Sequence, residues 1–522
     1  TARVENIRTG FTNLESVGNK ELIISHSAAG NGTIGTQGLF AYLNTSVGAS
    51  AFTNSAIINT GSNADTILWA KVAVDGSNVY IIGTNSSSAD TTKTGLKYTK
   101  STDNGATWSP MIDMPGITVD SIYAIQADAY NIAARDNTVA VVVGDALTNG
   151  YLIKSTDGGA TWTTTPFLRT GLQPWVNPFN FPTIAWDGTS FADSSTFLPC
   201  PDGTQTVHIQ SDGTIGVLYN LYFGLRDTAT TAGSYFPTYG ATFNLCYWEE
   251  GMPASNFFPV DTFLDCNGDG EWSNGSTTNT FGTAAKGASY GGFGCSNYPQ
   301  SALVPSTTAG SPDTMYVVYA SQMDADTSAS ADTGPIGQVY RDIMVSVSFD
   351  GGANWNNRVN ISNTPGVEEM FPSVARAVDG ALHIIWQEDA EPGTVLQNGD
   401  DQGDPNKIKY LKVPTATIIQ HAIDGDRTCW DASFVPAGLA DEFGNPIFKV
   451  YPNPAENMVT IEGDLTGSTI SVINAMGQAV ATPVIAKSNG SATLNTEALS
   501  AGIYMANINK GGTISVVRFV KK

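Results

Sequence analysis

The chain has 522 residues and a formal net charge of −23, from 25 Lys and Arg against 48 Asp and Glu. That balance repels a phosphate backbone and excludes nucleic acid as an expected partner. Only 14% of residues are charged while Gly numbers 54, a composition that suits short strands joined by exposed turns, and no run approaches the roughly 18 apolar residues of a transmembrane segment.

The sequence opens at Thr1 without a charged-then-apolar leader, which reads as a mature N-terminus after removal of a signal peptide. Strand-like runs follow: ELIISHS at 21–27, ILWAKVAV at 67–74 and VYIIGT at 79–84. The run GLKYTK then leads into the octet STDNGATW, with Ser101, Asp103, Gly105 and Trp108. TVAVVVG and GYLIK precede a second octet, STDGGATW, with Ser155, Asp157, Gly159 and Trp162; DIMVSV precedes a third, SFDGGANW, with Ser348, Asp350, Gly352 and Trp355. Each octet therefore sits on a hairpin turn. Asp and Ser side chains bond turn N–H groups, Gly accepts positive φ, and Trp is expected to fold back over its hairpin as a plug.

The interval from Ser101 to Ser155 is close to the roughly 40–50 residues of a propeller blade, and that from Ser155 to Ser348 to about four such units. These octets resemble those of the Asp-box β-propellers, a group that includes sialidases, sortilin-type receptors and many bacterial surface proteins. The resemblance implies an all-β fold with a propeller over residues 1–415, of six blades, or seven if the first 20 residues form a separate partial blade. It also implies that the boxes lie on the blade rims, away from the ligand face.

Between the second and third octets, Asp265, Asn267 and Asp269, with a carbonyl from Glu271, have the alternating oxygen pattern and Gly turn of a calcium loop. Structural calcium is the expected cofactor; no Glu stands at the twelfth position, Ser276, so this is no EF-hand. The five cysteines lack zinc spacing and read as disulfide formers in an oxidising compartment. Proximity pairs Cys266 with Cys295 first and Cys200 with Cys246 second, leaving Cys429 over.

A linker is expected over 416–446. Residues 447–522 carry six positive and four negative side chains, against the acidity of the rest of the chain. Tyr451, Pro452, Asn453 and Pro454 enforce extended backbone at the entrance, and alternating strands follow. With Gly477 in ISVINAMGQAV, Gly502 and Tyr504 in LNTEALSAGIYMANI, and the basic tail Arg518, Lys521, Lys522, this segment resembles the C-terminal sorting domain of Bacteroidetes type IX secretion cargo. The resemblance implies an Ig-like β-sandwich, export through the type IX machinery, and release or retention at the outer cell surface.

No catalytic set is written. A sialidase-like site needs several arginines as a carboxylate clamp, yet the chain holds ten in all and lacks the Arg-Ile-Pro start of that family. The four histidines are scattered, and no GxSxG, HExxH or P-loop pattern occurs. The reading is a surface binding, adhesion or assembly protein whose partners are glycans or neighbouring surface subunits; the alternative is a sialidase-like or other glycoside hydrolase.

Overall fold

The computed structural model describes residues 8–28, 38–44, 46–48, 52–59, 68–84, 95–118, 125, 129–144, 149–169, 198–227, 234–237, 244–261, 296–308, 311–327, 339–390, 406–425, 428–429, 448–452, 454–463, 465–474, 480, 484–485, 490–500, 502–510 and 513–522. The chain forms two compact units, Thr1–Trp430 and Asp431–Lys522.

Among the described residues, the first unit contains six antiparallel sheets in chain order. Sheet one holds β1 (Arg8–Val17), β2 (Lys20–Ala28), β3 (Gly38–Asn44) and β4 (Phe52–Asn59). Sheet two holds β5 (Leu68–Asp75), β6 (Asn78–Thr84), β7 (Leu96–Ser101) and β8 (Ile112–Asp113). Sheet three holds β9 (Tyr130–Arg135), β10 (Thr138–Val143), β11 (Gly150–Ser155) and β12 (Thr163–Leu168). Sheet four is larger, with β13 (Leu198–Pro201), β14 (Thr206–Ile209), β15 (Ile215–Asp227), β16 (Ser234–Pro237), β17 (Asn244–Glu249) and β18 (Phe258–Asp261). Sheet five holds β19 (Ser296–Val304), β20 (Thr314–Thr327), β21 (Val339–Ser348) and β22 (Val359–Asn360); sheet six holds β23 (Glu368–Val374), β24 (Ala381–Asp389) and β25 (Lys407–Pro414).

The second strands show why the sheets stack. Strands with one solvated face alternate apolar and polar, whereas β6 (NVYIIGT) and β10 (TVAVVV) are apolar without alternation and almost wholly buried. Val79 and Ile81 of β6 pack with Leu22 and Leu39 of sheet one, while Tyr80 and Ile82 pack with Tyr130, Val139 and Val141 of sheet three. The other face of β10, Ala140 and Val142, packs with Val207 and Val217 of sheet four. Leu218 and Tyr247 of sheet four meet Met315 and Val317 of sheet five. Each internal sheet is thus covered on both faces by its neighbours, and each large aliphatic side chain so buried contributes about 1.5–3 kcal/mol. The edge strand β12 carries the Pro that a central strand excludes, Pro166, and its outer half is exposed.

The last sheet returns to the first two. Arg376 Nη2 pairs with Glu15 of β1 at 3.3 Å, and the same amino group donates to the Val72 carbonyl of β5, 304 positions upstream. The first unit is therefore propeller-like.

The expected linker begins instead as helix α1 (Thr415–Asp424), which buries Ile418 and Ala422 and ends at Gly425 in the left-handed region. It packs on β21, β22, β24 and β25, and Arg358 Nε donates to the Thr428 carbonyl. This stretch belongs to the first unit because its apolar face has sheet five and sheet six to cover.

The second unit has β26 (Lys449–Tyr451), β27 (Met458–Gly463) and β30 (Gly490–Asn495) in one sheet, and β29 (Val484–Ile485), β28 (Thr469–Asn474), β31 (Gly502–Lys510) and β32 (Thr513–Lys521) in the other. Val459, Ile461 and Leu494 of the first share one core with Val472, Ile508 and Phe519 of the second. Among the described residues no helix is long and apolar enough to cross a membrane.

Candidate functional site

The three octets fold into one turn. Each Ser ends the third strand of its sheet, and the turn leads to the fourth. Ser101 Oγ donates to Asp103 at 2.7 Å and accepts from Gly105 N at 2.9 Å; Ser155 and Ser348 repeat both bonds with Asp157 and Gly159, and with Asp350 and Gly352. The residue before Trp completes the clasp, a role that spacing alone did not single out. Thr107, Thr161 and Asn354 each give a backbone N–H to one carboxylate oxygen and a side-chain donor to the other. The signal was the short donor side chain at that position in all three octets. Bonds from the Thr107 side chain and backbone, then from Ser101, hold the Asp103 carboxyl down at about 2. The Asp157 carboxyl is lowered by the same groups of its own box; at Asp350 burial pushes upward, but the Asn354 and Ser348 bonds outweigh it.

Trp355 folds back onto its own turn, its Nε1 donating to the Gly352 carbonyl at 2.9 Å, and the indoles also reach the preceding sheet. Trp162 meets Tyr98 of the preceding sheet edge-on, with centroids 5.3 Å apart and planes at 80°. Trp355 meets Tyr247 of its preceding sheet at 5.9 Å, and Trp108 packs into the Leu22 cluster of sheet one. A hairpin two strands wide offers no apolar surface comparable with the neighbouring sheet, so the indole goes there. The box glycines follow the same direction: an added Cβ would meet Leu22 at Gly105, Tyr98 at Gly159 and Tyr247 at Gly352.

A second repeated feature lies at the opposite end. In β1, β5, β19 and β23 the register slips by one residue, between Gly10 and Asn13, Leu68 and Lys71, Asn297 and Gln300, and Met370 and Ser373. The first bulged residues are Phe11, Trp69, Tyr298 and Phe371. Trp69, Tyr298 and Phe371 have φ of 51°, 53° and 55°, a conformation costing a bulky side chain about 1–3 kcal/mol. Leu68 pairs through Thr84 to Leu96, whereas Ser101 pairs through Val79 to Val74, so bulge and box occupy opposite ends of the sheet. The bulges also meet one another: Asn13 Nδ2 donates to the Ala70 carbonyl at 2.8 Å, and the Tyr298 and Phe371 rings are 4.9 Å apart.

Behind the bulges of sheets five and six lies a buried polar chain. Asp202 accepts from Thr204, Asn220 and Asn297; Asn297 Oδ1 accepts from Arg341 Nε; Arg341 pairs with Glu368 at 2.8 Å. Burial drives the Asp202 carboxyl up to about 7 despite these bonds. Burial, then the nearby Asp342 charge, drives Glu369 up to about 8, although Trp386 Nε1 donates to it. Both carboxyls are sealed from solvent, at 0% and 1% exposure. A second buried pair joins Arg358 to Asp261 at 3.1 Å.

The remaining expected sites divide. Asp265, Asn267, Asp269, Glu271, Cys266 and Cys295 lie outside the described residues, and no group of three or more His, Cys, Asp or Glu suited to a metal occurs among the described ones. The Cys200–Cys246 bridge is corrected: both are buried thiols. Cys200 stands opposite Tyr222 of β15 and Cys246 opposite Tyr219, so alternation puts them on opposite faces of the sheet, two strands apart. Cys429, expected to be left over, is disulfide-bonded.

In the second unit Asn453 and Gly477 lie outside the described residues. Tyr451 ends β26 with an exposed ring. Beyond Pro454, Ala455 N donates to Val520 O and Lys522 N to Ala455 O, which brings the proline segment beside Lys521 and Lys522 of the tail. Gly502 opens β31; Tyr504 stacks on Phe519 at 5.7 Å and donates to Ser500 O. Arg518 stands opposite Met505 in the register of β31 and β32.

Residues 449–522 match the family model described as a secretion system C-terminal sorting domain. The chain carries that module behind an all-β, propeller-like unit, which makes it a secreted, cell-surface protein of the type IX system, and its sorting module is the part that engages that machinery. No sequence match was found among curated proteins. Solved structures similar to the chain include a polysaccharide lyase described as an ulvan lyase, 12% identical over 78% of both chains with a TM-score of 0.38. A protein of unknown function from Dyadobacter fermentans is 10% identical over 79% of this chain and 96% of its own, with a TM-score of 0.39. Trypanosoma rangeli sialidase is 10% identical over 98% of this chain and 84% of its own, with a TM-score of 0.38. At these scores the likenesses carry no argument about function.

Proposed function

We propose that the first unit is a closed six-bladed Asp-box propeller acting as a binding or adhesion module at the cell surface, delivered there by an Ig-like sorting sandwich. The observation that carries it is the strained aromatic repeated at one position of the inner strands, at the end away from the box turns. Strain of this kind persists where the fold needs a side chain aimed at something, and bulges gather beside binding sites. The Arg376 contacts with sheets one and two support the closed ring. Asp202 and Glu369, whose carboxyls burial drives to about 7 and about 8, are sealed from solvent, which supports a scaffold role for these two.

The test is to display the full chain on its producing cells and measure retention and attachment with and without added soluble first unit. Soluble unit should compete for attachment. Attachment indifferent to it, or turnover of a glycoside by the purified chain, defeats the proposal.

Structural calcium held by Asp265, Asn267 and Asp269, with the Glu271 carbonyl, is proposed alongside. Chelator should lower Tm and expose the 260s to protease, and added calcium should restore both; indifference to both treatments rejects the site.

A further inference from the structure

We infer that the free edge of β25 is a docking site for an extended segment of another protein, added as a fourth strand of sheet six and carrying acidic side chains. The main chain says that the occupant is a strand. Thr415 N donates to Gly380 O, which fixes the phase of the ladder with β24. Lys407, Lys409, Leu411 and Val413 therefore turn their N–H and C=O groups inward, and Ile408, Tyr410 and Lys412 turn theirs outward. Among the described residues no strand lies beyond β25, so three donors and three acceptors are presented at strand spacing. The last strands of the other sheets are blunted. β8 and β22 have two residues each; β4 slips register twice; β12 carries Pro166 and β18 carries Pro259, and each pairs across a slip. β25 runs eight residues in unbroken register with β24 and has its one proline, Pro414, at its end. Its outward positions are also bare: Ile408 is 71% exposed, Tyr410 61%, and Ile385, opposite Tyr410 on β24, 46%.

Charge selects the sign of the partner. β25 carries Lys407, Lys409 and Lys412 and no acid, in a chain of net charge −23. On the described elements these three cations meet two carboxylates. Lys407 and Lys409 share Glu388, at 3.1 and 2.8 Å, and Lys412 lies 3.8 Å from Asp379, which also takes His383. Exposed pairs of this kind contribute little and exchange readily for the carboxylates of an incoming strand. The acidity elsewhere on the chain is screened beyond about 8 Å at physiological salt. The same lysines turn away a second copy, because pairing β25 with its own twofold mate gathers the lysines of both on one ribbon. The site lies two strands from the bulge of β23, so it and the surface at the bulge end can fail separately.

The test uses the full chain and two short, capped, fluorescent peptides, one alternating Glu with Val and the other Lys with Val, titrated by anisotropy. The Glu peptide should bind and the Lys peptide should not. Bound Glu peptide should slow amide hydrogen exchange at Ile408, Tyr410 and Lys412, a readout that contact through side chains alone would not move. Ile408→Pro deletes an outward N–H and spares the ladder with β24, since proline is accepted on an edge where its missing donor faces solvent. It should weaken binding about tenfold, while Ile408→Thr, which keeps the donor, stays within about threefold. If Ile408→Pro also lowers Tm, Lys409→Glu decides: weaker binding of the Glu peptide upholds the site, and unchanged binding overturns it. Equal binding of both peptides, binding that leaves the edge amides unprotected, or a concentration-dependent dimer that excludes the peptide overturns the proposal. Absence of peptide binding overturns it as well, and attachment of the chain to cells then rests on the bulge end alone.

Discussion

Gly352 and Tyr247 are in contact at a distance that only a glycine permits: a Cβ at Gly352, where φ is +103°, would sit 2.2 Å from Tyr247 Cε1. Tyr247 belongs to β17 and Gly352 to the box of sheet five, so the turn that clasps its own hairpin also seats that sheet against sheet four. Gly352→Ala is therefore expected to cost about 3 kcal/mol or more, from positive φ plus overpacking. Gly380→Ala, at φ +90° with open space around its Cβ, should cost only about 1 kcal/mol. Urea midpoints of the two variants measure the difference; equal losses would show that the seat between sheets contributes nothing.

Stability should peak in mildly acid solution. Folding raises the Asp202 and Glu369 carboxyls to about 7 and about 8, above ordinary unfolded values near 4. The native state then holds more protons than the unfolded one between these limits, and stability falls as pH rises from about 5 to 8. The box carboxyls act in the other direction. Asp103, lowered to about 2, contributes stability above about pH 4 that is lost as pH falls through 2. Tm measured across this range should rise from pH 8 to 5 and fall below 4, and Asp202→Asn should flatten the neutral limb. A Tm that climbs from pH 5 to 8 contradicts the assignment.

Glu368→Gln leaves Arg341, exposed by only 1%, without its counter-charge, at an expected cost of about 3–5 kcal/mol. Replacing both partners by Met should recover most of the loss, because two apolar side chains need no mutual compensation. Denaturation of the single and double variants gives the comparison; a single variant as stable as the parent would mean that the pair is not sealed from water.

With Cys200 and Cys246 as thiols and Cys429 in a bridge, Cys266 or Cys295 is the expected partner of Cys429. Non-reducing peptide mapping should recover the Cys429 peptide joined to one of them, and Cys200 and Cys246 should alkylate only after unfolding. A Cys266–Cys295 peptide would reverse this.

What the sequence disclosed follows from where the information resides. The boxes were legible because Ser, Asp, Gly and Trp act within eight residues of one another, and their bonds are local. The destination of Trp162 was not, because Tyr98 lies on another sheet and no spacing rule reaches it. The bulges were hidden for a related reason: Trp69 and Tyr298 look like ordinary strand aromatics until the register with β6 and β20 shows the extra residue. Two cysteines on one sheet looked equally suited to pairing until the parity of their partners on β15 separated their faces. The length of α1 was legible neither as a strand nor as a turn, and its docking depends on apolar surface that sheets five and six provide.

Among the described residues, sheet one keeps its own four strands and sheet six its own three, and the two are joined by the side chain of Arg376. Among the described residues no strand crosses the seam between these two sheets, so no described strand of the first must wait unpaired for the last to be made. Such a chain can be built in the order in which it emerges, each sheet finding its cover in the one before, with the seam as the final event. In the proposed closed ring, the Arg376 contact is the place where the ring would be unlatched without unravelling a sheet, and removing that guanidinium would weaken closure while leaving every described strand paired.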